Sequence, residues 1–193
     1  MAFSICVFCG SRHGADARFR AAATRLGELA GAAGLRLIYG GGHVGLMGAV
    51  ADAAMAAGAD VVGFIPTGLL AREVGHRAIT ELIVTSTMYE RKQEMIDRAD
   101  AFVILPGGLG TLDELLEVIT LRQLRYHDKP VVLVNLDGYW DPLLALVDRV
   151  IETEFAAPSA RELYDVVATV DEVLPLVGAI GPATAPLRAA QGG

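Results

Sequence analysis

Along the chain, short apolar runs alternate with longer stretches in which apolar residues recur every three to four positions. The runs at Ser4 to Phe8, Arg36 to Tyr39, Asp60 to Ile65, Glu81 to Val84, Ala101 to Leu105, Val131 to Asn135 and Asp165 to Ala168 read as strands. Between them, Asp16 to Ala33, Gly45 to Ala57, Thr87 to Ala99, Thr111 to Tyr126 and Trp140 to Thr153 have the spacing and boundaries of helices. Near-continuous apolar strands separated by helices are the pattern of a parallel sheet buried on both faces. The expectation is an α/β protein with a doubly wound parallel sheet of about seven strands and helices on both faces. Pro66 to Ile79 breaks the alternation: Pro66, Gly68, Gly75 and scattered charges predict a loop over the sheet edge, of the kind that forms lids. From Gly178 onward, Gly181, Pro182, Pro186 and Gly192-Gly193 predict a flexible tail at 179–193, leaving 1–178 as one domain.

Composition narrows the possibilities. The chain has 193 residues, 53% of them hydrophobic and 20% charged, enough for one substantial core. A formal net charge of -7 argues against polymeric nucleic acid, whose backbone would need clustered Lys and Arg. A single nucleotide needs only local cations. The first residues lack a basic segment followed by a long apolar one, and no run approaches the length of a membrane span, so a cytoplasmic protein without a membrane partner is expected. Cys6 and Cys9 make a Cys-x-x-Cys, but on a strand positions three apart face opposite sides, so packing is favoured over redox chemistry. The four histidines, His13, His43, His76 and His127, lack ligand spacing, and no metal is expected.

In a doubly wound sheet, ligands bind beyond the carboxyl ends of the strands, where strand order reverses. The segments placed there are Cys9 to Arg12, Gly40 to Gly48, Pro66 to Gly68 and Pro106 to Glu114. Gly40-Gly41-Gly42-His43-Val44-Gly45 fits G-x-G-x-x-G, but the next strand ends in Phe64-Ile65-Pro66-Thr67, without the acidic residue that would hold a dinucleotide ribose. Nor is there a G-K-[ST]. A phosphate or ribose contact through backbone N–H groups is favoured over NAD, with a simple tight turn as the alternative. No cofactor is expected.

Pro106-Gly107-Gly108-Leu109-Gly110-Thr111, followed at once by Leu112-Asp113-Glu114, is the sharpest signal. Its glycines permit positive φ and close backbone approach, and a helix N-terminus offers N–H groups and a positive dipole to an anion. Thr111 with Glu114 three residues later would also make a capping box, in which both side chains merely close the helix. A third constellation, Met88-Tyr89-Glu90-Arg91-Lys92, opens a predicted helix. Adjacent residues there diverge by about 100°, so Arg91 and Lys92 can reach different parts of one ligand, or form a solvated charged surface.

Taken together, Cys9-Gly10-Ser11, Tyr39-Gly40-Gly41-Gly42 with Gly45-Leu46-Met47-Gly48, Met88 to Lys92 and Pro106 to Glu114 resemble the Lonely Guy family, the cytokinin riboside 5'-monophosphate phosphoribohydrolases often labelled lysine decarboxylase-like. The resemblance runs from Phe3 to about Val177, with Tyr89 standing where many members have His. It implies a Rossmann-like fold, a homodimer or larger assembly, and hydrolysis of an N6-modified AMP, or AMP, to the base and ribose 5-phosphate. By the same resemblance Arg91 and Glu114 are the catalytic pair. Substrate contacts fall on Glu73, Arg91, Lys92, Gly108, Leu109, Gly110, Thr111, Leu112, Asp113, Glu114 and Thr120, to which the motifs above add Ser11, Gly41, Gly42 and Met88. Two rivals stay open: a nucleotide-binding or carrier module without turnover, and a pyridoxal-phosphate decarboxylase, for which only Lys92 and Lys129 could form the Schiff base.

Overall fold

The computed structural model describes residues 2–70 and 75–178. Its strands are β1 (Ser4–Phe8), β2 (Arg36–Tyr39), β3 (Asp60–Pro66), β4 (Glu81–Thr85), β5 (Ala101–Ile104), β6 (Val131–Val134) and β7 (Asp165–Val167). They form one sheet in the order β4-β3-β2-β1-β5-β6-β7, with every neighbouring pair parallel. Parallel neighbours require crossovers. Helices α1 (Ala17–Ala32), α2 (Gly45–Ala56), α3 (Thr67–Leu70), α4 (Met88–Arg98), α5 (Leu109–Gln123) and α6 (Asp141–Glu152) supply them, and α7 (Val173–Leu176) follows β7.

Strand periodicity decides which core each residue joins. Ile5, Val7 and Cys9 lie on one face with Leu37, Tyr39, Val61 and Val103, under Leu26 and Ala30 of α1 and Val50 and Ala54 of α2. Cys6 and Phe8 lie on the other with Ile38, Phe64, Phe102 and Ile104, under Met95 of α4 and Leu115 and Val118 of α5. Both cysteines are therefore buried packing groups in different cores, as their strand spacing predicts. Each fully buried Leu, Ile, Val or Phe contributes about 1.5–3 kcal/mol, so the two clusters hold both helical layers to the sheet. The α1–α2 contact is close because it is made of small residues. A Cβ on Gly27 would strike the Val50 carbonyl, and one on Gly31 would strike Ala57.

Three details differ from the sequence reading. Helix α5 starts at Leu109 with Gly108 as N-cap, two residues ahead of the expected start, so Thr111 and Glu114 lie inside the helix and form no capping box. None of Gly107, Gly108 and Gly110 has positive φ. The segment expected as a loop after Ile65 begins instead with the last residue of β3 and the short α3, and Gly75 forms an isolated antiparallel bridge with Gly42. Glu73 and the tail expected at 179–193 lie outside the described residues.

The strand order reverses between β1 and β5, which are neighbours although β2, β3 and β4 intervene in sequence. Beyond their ends the chain is stitched across this gap. Leu105 donates its backbone N–H to Phe8 O at 3.0 Å, and Gly10 donates to Pro106 O at 3.1 Å. A Cβ on Gly10 would be crowded by Arg12 O at 3.1 Å within its own loop, while the Gly107 Cα across the gap would sit at ordinary contact, 3.4 Å.

Candidate active site

A cavity of about 200 Å³ opens at this switch point, lined by the end of β1, Cys9, Ser11, Gly40, Met47, Leu69, Met88, Arg91 and the first turns of α5. Helix α5 enters it with Gly108, Leu109, Gly110, Thr111 and Glu114 on the wall. The first N–H groups of any helix have no intrahelical acceptor, and together with the macrodipole they make this end an electropositive cradle. Gly108 and Gly110 would place a Cβ in open space, so packing does not require glycine there. Gly107 is different. Its missing Cβ makes room for the Thr111 side chain, and its carbonyl accepts a 2.6 Å hydrogen bond from the Tyr139 hydroxyl, which fixes the turn.

Opposite α5, helix α4 presents Arg91. Its start is set by Thr87, whose side chain caps Glu90 N at 3.0 Å, while Glu90 reaches back to Ser86 N at 2.7 Å. That start turns Arg91 inward, where only 7% of it remains exposed. Nε donates to Phe64 O at 3.0 Å, Nη2 to Gly40 O at 3.3 Å, and Nη1 lies 3.2 Å from Met88 Sδ. Gly40 leaves the space for this, because a Cβ would overlap Nη2. Carbonyls at the ends of β2 and β3 thus hold the guanidinium as a fixed, permanently charged group.

Nη1 lies 3.4 Å from Glu114 Oε1, and both side chains are about nine-tenths buried. A charge-assisted N–H···O bond is typically about 2.7–2.9 Å, so this pair is close without being clamped as a bidentate fork. Beside it, burial pushes the Cys9 thiol up, and the negative charge of Glu114 adds to this, so Cys9 is a protonated, neutral part of the wall.

The structure brings Ser11, Met88, Arg91, Gly108, Leu109, Gly110, Thr111 and Glu114 to the cavity. The other expected contacts among the described residues lie elsewhere. Gly41, at φ +74°, packs against the Phe64 backbone and the Leu82 side chain, and Gly42 bridges Gly75; the glycine that reaches the cavity is Gly40. Lys92 points away from Arg91, as helix geometry requires, into ion pairs with Asp113 at 3.0 Å and Glu117 at 2.8 Å. Leu112 packs against the core beneath α4 and α5. Thr120 is exposed, its hydroxyl donating to Leu116 O at 2.7 Å. A second cavity of about 600 Å³ shares Ser11, Gly108 and Leu109 with the first and extends to Arg12, Phe19, Leu46 and Tyr139. Of its lining, Phe19 and Tyr139 were not among the expected site residues, and Leu46 entered only as part of the Gly45-Leu46-Met47-Gly48 motif.

A family model described as "Possible lysine decarboxylase" matches residues 47–177. A probable cytokinin riboside 5'-monophosphate phosphoribohydrolase of Oryza sativa subsp. japonica, LOGL5, is 47% identical over 170 residues, covering 88% of this chain and 69% of the relative. The cytokinin riboside 5'-monophosphate phosphoribohydrolase LOG3 of Arabidopsis thaliana is 45% identical over 170 residues, covering 88% and 79%. The chain belongs to the Lonely Guy family. Among solved structures, the molybdenum cofactor binding protein of Rippkaea orientalis superposes with a TM-score of 0.71 at 22% identity, covering 93% of this chain and 98% of that one. The Moco carrier protein of Chlamydomonas reinhardtii gives 0.70 at 21%, covering 92% and 96%. At these identities the likeness establishes the Rossmann-like fold that Lonely Guy membership implies.

The decarboxylase wording can be tested on the lysines. Aldimine chemistry needs a lysine amine at the site. Lys92 is held by two carboxylates, and Lys129 donates to Ile96 O at 2.8 Å and Asp97 O at 3.3 Å. Neither of the chain's two lysines lines the cavity, so the residues do not fit pyridoxal phosphate.

Proposed function

We propose that this chain hydrolyses the N-glycosidic bond of an N6-modified AMP, or AMP, releasing the free base and ribose 5-phosphate. The observation that carries the reading is the buried Arg91–Glu114 pair lining one cavity together with the N-terminal turn of α5. The names of the rice and Arabidopsis relatives point to the same reaction.

Breaking the C1'–N9 bond builds positive charge on the ribose and negative charge on the departing purine. Glu114 stabilises the ribosyl cation and takes a proton from the attacking water. The hydroxide ends on C1' and the proton on the purine nitrogen, so atoms and charge balance. The α5 N-terminus is suited to the phosphate, and Arg91, which does not deprotonate, acts electrostatically. The smaller cavity cannot take a whole nucleotide by itself, and the shared wall at Ser11, Gly108 and Leu109 suits a ligand spanning both.

The test is to incubate purified protein with AMP and with N6-isopentenyl-AMP and to measure ribose 5-phosphate. Release is expected from at least one, and release from neither would sink the reading in favour of a binding module. Glu114→Gln should stay folded and lose about 10²-fold to 10³-fold in kcat.

The same proposal takes residues 1–178 as one domain and the active form as a homodimer or larger homo-oligomer in the cytoplasm. Its supports are the single sheet, the exposed apolar side chains Leu116, Leu124, Tyr126, Leu146 and Phe155, and the fact that no helix among the described residues is long and apolar enough to cross a membrane.

A further inference from the structure

Two of the four histidines scattered in the sequence, His43 and His76, meet in the fold. His43 follows the Gly40-Gly41-Gly42 turn, Asp52 lies on α2, and His76 follows the Gly42–Gly75 bridge, its backbone N–H donating to Gly41 O at 2.9 Å. The His43 and His76 rings meet edge to face with centroids 4.4 Å apart, and His76 Nε2 lies 2.8 Å from Asp52 Oδ1. One ligand atom from each of the three residues falls within 4.8 Å of the others.

We propose that His43, Asp52 and His76 form a binding site for a transition-metal dication of the Zn²⁺ type, with two imidazole nitrogens and one carboxylate oxygen as ligands and water completing the shell. Zinc bonds to nitrogen and oxygen of about 2.0–2.2 Å place tetrahedral ligand atoms a little over 3 Å apart, so small rotations of exposed side chains close the set. His43 and Asp52 are exposed and can make them, whereas His76 is only 3% exposed and is fixed by its backbone bond to Gly41. Imidazole and carboxylate together select Zn²⁺, Co²⁺ or Ni²⁺ over Mg²⁺ or Ca²⁺, which take oxygen shells. The fully buried Tyr39 hydroxyl, which feels the charge of the Asp52 carboxylate, has no hydrogen-bond partner among the described residues.

The alternative is that Asp52 simply satisfies a buried histidine and His43 only packs on it. A bound ion would do something different. It would tie together the turn that supplies Gly40 to the catalytic cavity, helix α2, and the chain that leads back to β4. The inference does not depend on the glycosidase reading.

The experiment uses tag-free protein treated with chelator and dialysed. Zinc titrated by calorimetry should bind with one saturable site per chain, and cobalt should develop the visible absorption of a tetrahedral complex. Zinc a hundredfold above Kd should raise Tm by about 5–10 °C. His43→Ala and Asp52→Asn, at exposed positions, should each weaken binding at least tenfold with unchanged circular dichroism, whereas His13→Ala should not. Absent zinc binding, or binding that either His43→Ala or Asp52→Asn leaves intact, overturns the three-ligand site.

Discussion

A Cβ at Gly107 would collide with the Thr111 side chain, whereas one at Gly108 or Gly110 would meet nothing. The glycines of one motif are therefore separable. Gly110→Ala should leave the protein folded and, as a better helix former, stabilise it by up to about 1 kcal/mol, while KM rises because the methyl enters the space beside the α5 N–H groups. Gly107→Ala should lower stability, because Thr111 or the turn must move. Denaturant midpoints and steady-state kinetics on both variants check this, and a Gly110→Ala protein with unaltered KM would remove the ligand from the α5 N-terminus. The motif was legible in the sequence, and Arg91 at the cavity was expected through the family resemblance. Lys92 was expected as a second ligand contact: helix geometry separates it from Arg91, but only the fold shows it paired with Asp113 and Glu117.

Secondary structure followed the hydrophobic pattern because the strands are apolar runs with polar or glycine-rich ends. Helix α5 was mis-started because Gly-Leu-Gly reads as a turn, yet in a first turn the N–H groups need no intrahelical partner and glycine is tolerated. Two predictions belong to elements. Gly27→Ala puts a methyl against the Val50 carbonyl at the α1–α2 contact, and overpacking of about 1–3 kcal/mol should outweigh the gain in helix propensity. A lowered urea midpoint would show it. The second concerns the α5–β6 connection, where His127 Nε2 donates to Val118 O at 3.0 Å and Nδ1 accepts from Lys129 N at 3.2 Å, so the ring is held neutral. Burial holds its pKa below the ordinary value of about 6.5. As pH falls below that value the unfolded chain takes up the proton first, so stability present near neutrality is lost on acidification. The drop in denaturation midpoint between about pH 7.5 and pH 5.5 should be smaller in His127→Gln. The ring is partly solvated, so the difference should be modest.

For the whole molecule, light scattering should give a mass of at least two chains, and Leu146→Glu, at an exposed apolar position on α6, should reduce it. A monomer at all concentrations would contradict the assembly proposed above. Fold class was legible because alternating strands and helices admit few parallel topologies. The His43–Asp52–His76 grouping was not, since its members come from three segments with no common period.

The pairing of β1 with β5 has a further consequence, in time instead of space. Ile5 finds its partner in Ala101 only after three other strands and four helices have been made. Contacts so far apart in sequence close late and slow folding. During synthesis, β1 keeps one side of its backbone unpaired until β5 arrives, an open edge able to recruit a strand from another nascent chain. The same step that seals this edge joins Gly10 to Pro106 and completes the cavity. A chain that has not yet closed its sheet therefore lacks the candidate site, whose formation marks completed folding.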